Sequence, residues 1–334
     1  MARAFICGCS GLSLTKEERA FIRESHPFGF ILFQRNVETP DQVRALIASF
    51  RDCIGAEAAV LVDQEGGRVQ RLRSPHWRAY PAAAEFGRLD LPLERKQRLV
   101  RLASALIGQD LSRLGINIDC APVLDVPAEG SHGVIGDRAY SRDPHLVASL
   151  GRAAALGLSD AGVLPVIKHI PGHGRAKCDS HLDLPVVDAS LETLVQTDFA
   201  PFAANADLPI AMTAHIVYRM LDPDRPATLS PVLIDYIREK IGFSGLLLSD
   251  DLSMKALTGG LRQRAEAAYK AGVDIALHCN GDLAEAMEVA AAAPLLSGES
   301  SRRASRALGW QGERRPFDPV EAWAEVAAAL AIAA

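Results

Sequence analysis

The chain has 334 residues, with 36 Lys and Arg against 41 Asp and Glu, for a formal net charge of −5. Its 49% hydrophobic content excludes a disordered chain, and its 26 glycines, which follow no triplet period, exclude a collagen-like one. The mild acidity argues against a non-specific grip on nucleic acid or anionic lipid, so neither is expected as a partner.

Eight short apolar runs recur along the chain: Ala4–Gly8, Gly29–Phe33, Ala59–Asp63, Ile116–Cys120, Val163–Lys168, Pro209–Ala214, Gly245–Asp250 and Val273–Leu277. Each is continuous in its hydrophobicity, as strands of a parallel sheet covered by helices are. Helical patterns follow near Thr15–Ser25, Thr39–Ile54, Leu91–Leu114, Pro144–Ala161, Ser190–Asn205, Pro231–Ile241, Leu261–Ala271 and Asp282–Ala292. Thr15 with Glu18 three residues on reads as a capping box. Two more helices, near Ser300–Leu308 and Asp318–Ile332, complete the pattern. Eight βα units predict an α/β fold, a single (β/α)8 barrel of the TIM type with extra C-terminal helices, one domain over residues 1–334. A doubly wound open sheet is the alternative, but no Gly-x-Gly-x-x-Gly follows an early strand.

No apolar run approaches the roughly 18 residues of a membrane span. Near the N-terminus, Arg3 is the one basic residue and no export-signal core follows, so a cytoplasmic location is expected. The six cysteines, at 7, 9, 53, 120, 178 and 279, are then expected as reduced thiols in and around the core, Cys7 and Cys9 included.

Turns entering the strands are short, whereas four connections leaving them are long: Gln64–Asp90, Ala121–Asp143, His169–Ala189 and His215–Ser230. In a barrel all four gather at the C-terminal mouth, where such folds keep their active sites. The densest polar cluster lies on one of them, from Lys168-His169-Ile-Pro-Gly-His173-Gly to Asp179-Ser-His181. Lys168 and His169 fall at a strand tip, and Pro171, Gly172 and Gly174 permit a tight loop. Asp179 and His181 are two residues apart, so the carboxylate can orient the imidazole as a general acid/base.

A second cluster is Ser249-Asp250-Asp251-Leu-Ser-Met254, where an apolar strand ends in two carboxylates. One of them suits a nucleophile; because successive strand residues face opposite ways, the other is expected to have a different task, such as capping the next helix. In a third, Asp63 ends a strand and Gly66-Gly67 form a turn expected to carry both Arg68 and Arg71 back towards it. A carboxylate with guanidinium forks beside it suits a polyhydroxylated ligand. Arg138, on the long fourth loop, is a weaker candidate on its own, and His215 and His278 read equally well as packing partners or ligands.

Together the three clusters resemble glycoside hydrolase family 3, and within it the bacterial β-N-acetylglucosaminidase branch, cytoplasmic enzymes of peptidoglycan recycling. The resemblance runs from Gly29 to Asn36 through Asp63-Gln-Glu-Gly-Gly-Arg68 to Ser249-Asp-Asp-Leu-Ser-Met254, with the Lys168–Gly174 run and Asp179-Ser-His181 its most specific parts. It implies Asp250 as nucleophile, His181 as acid/base and Asp179 as the partner that tunes it. It matches Asp63, Arg71, Arg138, Lys168 and His169 to sugar-binding positions. It further implies a retaining exo-glycosidase acting on N-acetylglucosamine-terminated muropeptides such as GlcNAc-1,6-anhydro-MurNAc, with no cofactor or metal and as a monomer. The segment Arg175-Ala-Lys-Cys178 departs from the pattern and bears on loop closure and subsite preference.

Other readings of the same residues stay open at this stage. A phosphorylase on this fold is compatible with a histidine base, which repels phosphate less than a carboxylate does. One of Asp250 and Asp251 could instead hold an N-acetyl group for substrate-assisted cleavage. His169, His173, His181 and Asp179 could ligate a metal, but they lack the compact spacing of such sites. Lys168 could form a Schiff base, as in barrel aldolases, and a non-catalytic sugar-binding protein is the remaining option.

Overall fold

The computed structural model describes residues 2–180 and 183–332. Eight parallel strands close into a barrel, each hydrogen-bonded to its neighbours in sequence and the last to the first. They are β1 (Arg3–Cys7), β2 (Pro27–Leu32), β3 (Ala59–Val62), β4 (Ile118–Asp119), β5 (Leu164–Ile170), β6 (Ile210–Thr213), β7 (Leu246–Asp251) and β8 (Ile275–His278). The (β/α)8 expectation is met strand for strand.

Period-two alternation sorts their side chains. Ile6, Leu61, Ile118, Val166, Met212, Leu248 and Leu277 fill the barrel interior, as one apolar cluster. The alternate residues Val60, Val62, Ile167, Ala211 and Leu247 pack outward against the helices. The interior below the strand tips is therefore a packed core, not a channel.

Local signals set the helix limits. Lys16–Ser25 starts at the full capping box of Thr15 and Glu18. Leu261–Ala271 stops at Gly272, whose φ of 104° a side chain would oppose. The expected helix over Ser190–Asn205 is instead two pieces, Leu191–Gln196 and Ala200–Ala203. Pro201, at the start of the second piece, cannot donate to a carbonyl of the first. Pro231–Tyr236 continues as a π-helical turn, Ile237–Ile241, closed by Gly242.

The long mouth connections hold short elements that periodicity does not reveal. After β3 come a hairpin of Gln64–Gly66 with Val69–Gln70 and a helix, Ala83–Arg88. Val186–Val187 pairs with Val217–Tyr218, joining the connections after β5 and β6. The C-terminal helix Pro319–Leu330 packs on Leu93–Ser112, with Glu325 taking Arg95 and Arg98. All six cysteines are free, Cys7 and Cys9 both buried, as the reduced-thiol reading expects. Among the described residues, no helix is long and apolar enough to cross a membrane.

Candidate active site

The alternation that fills the barrel also aims its tips. Asp63 follows Ala59 and Leu61 on the inner face, Lys168 follows Leu164 and Val166, and Asp250 follows Leu246 and Leu248. All three line one cavity of about 290 Å³ at the C-terminal mouth. His169 would face outward by the same rule, but the register of β5 against β6 shifts between Lys168 and Ile170, and His169 lines the cavity too.

An ionic network forms one wall. Lys168 Nζ donates to Asp63 at 2.8 Å and lies 2.7 Å from Glu65. Arg71 reaches the other oxygen of Asp63 at 3.2 Å, and Arg138 grips Glu65 through two bonds of 2.8 Å. Burial opposes ionisation of Asp63, but the charges of Lys168 and then Arg71 overcome it and hold Asp63 below the usual carboxylate range. Arg138 and Lys168 likewise draw Glu65 down to about 2 against its burial. Burial also disfavours the Lys168 ammonium, yet Asp63 and Glu65 raise its pKa. Asp63, Glu65 and Lys168 are all charged at neutral pH, and Arg71 keeps a buried Nε–H with no partner among the described residues.

The loop after β5 forms another part of the wall. His169 Nδ1 is 2.7 Å from Asp125, a carboxylate with no exposed surface, which also accepts the backbone N–H of His173 at 2.6 Å. His173 Nε2 is 3.0 Å from Ser180 Oγ, and Ser180 and Asp179 both line the cavity. Arg175 holds Asp198 at 2.6 Å, and the Tyr218 hydroxyl donates to the Gly172 carbonyl. His181 lies outside the described residues.

The two carboxylates of β7 divide their tasks. Both line the cavity, but Asp251 accepts from Ser253 N, Ser253 Oγ and Cys279 N, and so caps the turn after the strand. His215 is a packing partner: its Nε2–H donates to the Asp251 carbonyl, leaving Nδ1 to accept from Thr228. Burial lowers its pKa and keeps it neutral. His278 Nε2 meets Glu285 at 3.2 Å and does not line the cavity.

Arg68 corrects one expectation. It lines the same cavity as Asp63, but its hydrogen bonds go to Asp137 at 2.9 Å and to the carbonyls of Gly133 and Ile135, tying the third mouth connection to the fourth. Residues 68 and 71 flank the two-residue strand Val69–Gln70, and of the two it is Arg71 that bonds to Asp63. Glu65, Asp125 and Ser180 were not among the sequence candidates. Glu65 stands in the Asp-Gln-Glu-Gly-Gly run, and Asp125 ends the apolar stretch Ala121–Leu124, a signal that resembles those at Asp63 and Asp250. Among the described residues, no group of three or more His, Cys, Asp or Glu is arranged to hold a metal ion.

A pocket of paired acids and bases on strand tips suits hydroxyl recognition and acid–base chemistry, and comparison with known proteins agrees. The curated β-hexosaminidase of Thioalkalivibrio sulfidiphilus is 41% identical over 275 residues, covering 81% of this chain and 78% of that protein. That of Methylococcus capsulatus is 40% identical over 294 residues, covering 85% and 86%. The solved structure of native NagZ from Neisseria gonorrhoeae superposes with a TM-score of 0.87 at 30% identity, covering 98% of each chain. Residues 8–304 match the N-terminal domain of glycosyl hydrolase family 3, and the chain belongs to that family.

Proposed function

We propose that the protein is a retaining exo-β-N-acetylglucosaminidase, a single catalytic domain over residues 1–334. It removes terminal N-acetylglucosamine from peptidoglycan fragments such as GlcNAc-1,6-anhydro-MurNAc, in the cytoplasm and as a monomer. The coarser statement, a glycosidase of the β-hexosaminidase kind, follows from its family and from relatives bearing that name.

In this reading Asp250 attacks the anomeric carbon and the aglycone oxygen leaves, forming a glycosyl ester. His181, paired with Asp179, gives its proton to that oxygen. The same imidazole then takes a proton from water as the ester is hydrolysed, returning the enzyme with net retention. Asp63, Arg71, Arg138, Lys168 and His169 hold the sugar.

The observation that carries the proposal is that Asp250, Asp179 and the Asp63–Lys168–Arg71 network line the same 290 Å³ cavity. Its floor is packed core, which suits one terminal sugar and not a threaded polymer. The Arg71 Nε–H, without a partner among the described residues, is a donor suited to a sugar oxygen.

The test is turnover of an aryl N-acetyl-β-glucosaminide beside the aryl β-glucoside, for wild type and Asp250→Ala. Preference for the N-acetyl sugar, loss of turnover in the variant, and free sugar instead of sugar 1-phosphate in phosphate buffer are expected. A 2-fluoro glycoside that labels a residue other than Asp250 would overturn the nucleophile.

A further inference from the structure

Asp125 is not among the residues that would touch the sugar, yet two parts of the site converge on it. It has no exposed surface, so its charge depends on the donors around it. Oδ2 takes Nδ1 of His169 at 2.7 Å, while Oδ1 accepts the backbone N–H of His173 at 2.6 Å and of His169 at 3.2 Å. Burial opposes ionisation, but His169, through charge and hydrogen bond, keeps the carboxyl below its ordinary value. An ionised carboxylate only accepts, so Nδ1 of His169 carries the proton and Nε2 is the nitrogen left for the cavity.

The other oxygen starts a second chain of contacts. From His173 the loop runs alongside the segment after Asp125, with Ala128 N–H donating to Gly174 at 3.0 Å and His132 N–H to Ala176 at 2.8 Å. The His173 ring then meets Ser180 at 3.0 Å, next to Asp179 in the chain.

We propose that Asp125 is a positioning residue for the reaction, coupling the grip on the sugar, through His169, to placement of the loop that bears Asp179 and His181. The inference rests on the acid/base and sugar-binding roles proposed above.

The two oxygens can be separated by substitution. In Asp125→Asn the amide oxygen can still accept from His173, but the amide nitrogen faces Nδ1 of His169 and reverses which ring nitrogen is protonated. Asp125→Ala loses both arms. The experiment measures KM and kcat/KM for aryl N-acetyl-β-glucosaminides with graded leaving groups, for both variants, His169→Ala and His181→Ala.

For Asp125→Asn, KM should rise about tenfold, as in His169→Ala, with the wild-type dependence on leaving group. Asp125→Ala should show the same rise and, in addition, lose about tenfold more kcat/KM on poor leaving groups than on activated ones. A wild-type KM in Asp125→Asn overturns the coupling to the sugar. A uniform loss across leaving groups in Asp125→Ala, beside a steep dependence in His181→Ala, overturns the coupling to the loop. If His181→Ala itself tolerates poor leaving groups, the acid/base assignment falls instead, and the KM comparison still decides the His169 arm. Should Asp125→Ala fail to fold, Asp125→Asn decides the proposal through KM alone.

Discussion

The ammonium of Lys168 lies 2.7 Å from Glu65, and both side chains are nearly sealed from solvent. Lys168 also holds Asp63, so a single cation serves two buried carboxylates. Removing one partner of a buried ion network strands the others, which costs about 3–5 kcal/mol. Lys168→Met should therefore lower the stability by an amount of that order. Adding Glu65→Gln should cost less than Glu65→Gln alone, because its bond to Lys168 is already gone, although Arg138 then loses its partner carboxylate. Denaturant unfolding of the two single variants and the double one checks this, and strict additivity would contradict it.

Asp119, on the outer face of β4, has one oxygen that accepts Gln64 N–H at 3.0 Å and one with no partner among the described residues. Burial, foremost, pushes its pKa well above 3.8, against the lowering effects of that hydrogen bond and of Lys168. A carboxyl raised on folding contributes its stability below its unfolded pKa of about 3.9 and loses it as pH rises. At pH 8 Asp119 is thus a burden that Asn does not carry. Asp119→Asn should raise the thermal midpoint at pH 8, with the gain shrinking towards pH 4. An equal effect at both pH values would contradict it.

His173 has the opposite dependence. Burial first, then His169, pushes its pKa down from 6.5 to about 4. A histidine depressed on folding gives stability above its unfolded pKa that is lost as pH falls from about 6.5 to about 4. The loss amounts to about 3 kcal/mol at most, and His173→Gln should flatten the stability profile across that window. Chemical unfolding at pH 7, 5.5 and 4.5 is the measurement, and parallel profiles would rule the assignment out.

A Cβ on Gly174 would stand 1.9 Å from the Val126 carbonyl oxygen, so backbone must move to admit it. Gly174→Ala should displace the loop from the segment after Asp125 and cut kcat/KM on poor leaving groups by at least about tenfold. Gly174 lies on the loop beyond the end of β5 at Ile170, so far-ultraviolet dichroism should be unchanged. Wild-type kinetics would show that the loop's course does not matter.

Much of this site could be read from the chain because barrel strands obey a simple rule. Asp63, Lys168 and Asp250 each follow two inward apolar residues at spacing two, which places them at the mouth without further information. Partnerships between strands carry no such signature. Arg138 finds Glu65 across 73 residues and His169 finds Asp125 across 44, distances at which sequence spacing says nothing about contact. Arg68 shows the same limit locally: it reaches the cavity with Asp63, but its bond to Asp137, 69 residues on, has no signature in the sequence. The Asp179–His181 spacing suggested an acid/base pair, family resemblance matched His181 to that position, and His181 lies outside the described residues.

The barrel closes by pairing β8 with β1, joining residues 275–278 to the first strand of the chain. Cys279, just beyond β8, lines the cavity and donates its N–H to Asp251. A ribosome must therefore deliver β8 and Cys279 before the pocket has its last wall. Nascent chains that end before β8 carry Asp250, the ionic network and the loop, yet leave the edges of β1 and β7 unpaired. Synthesis thus separates possession of the chemical groups from their assembly, and the pocket is complete only once β8 has been made.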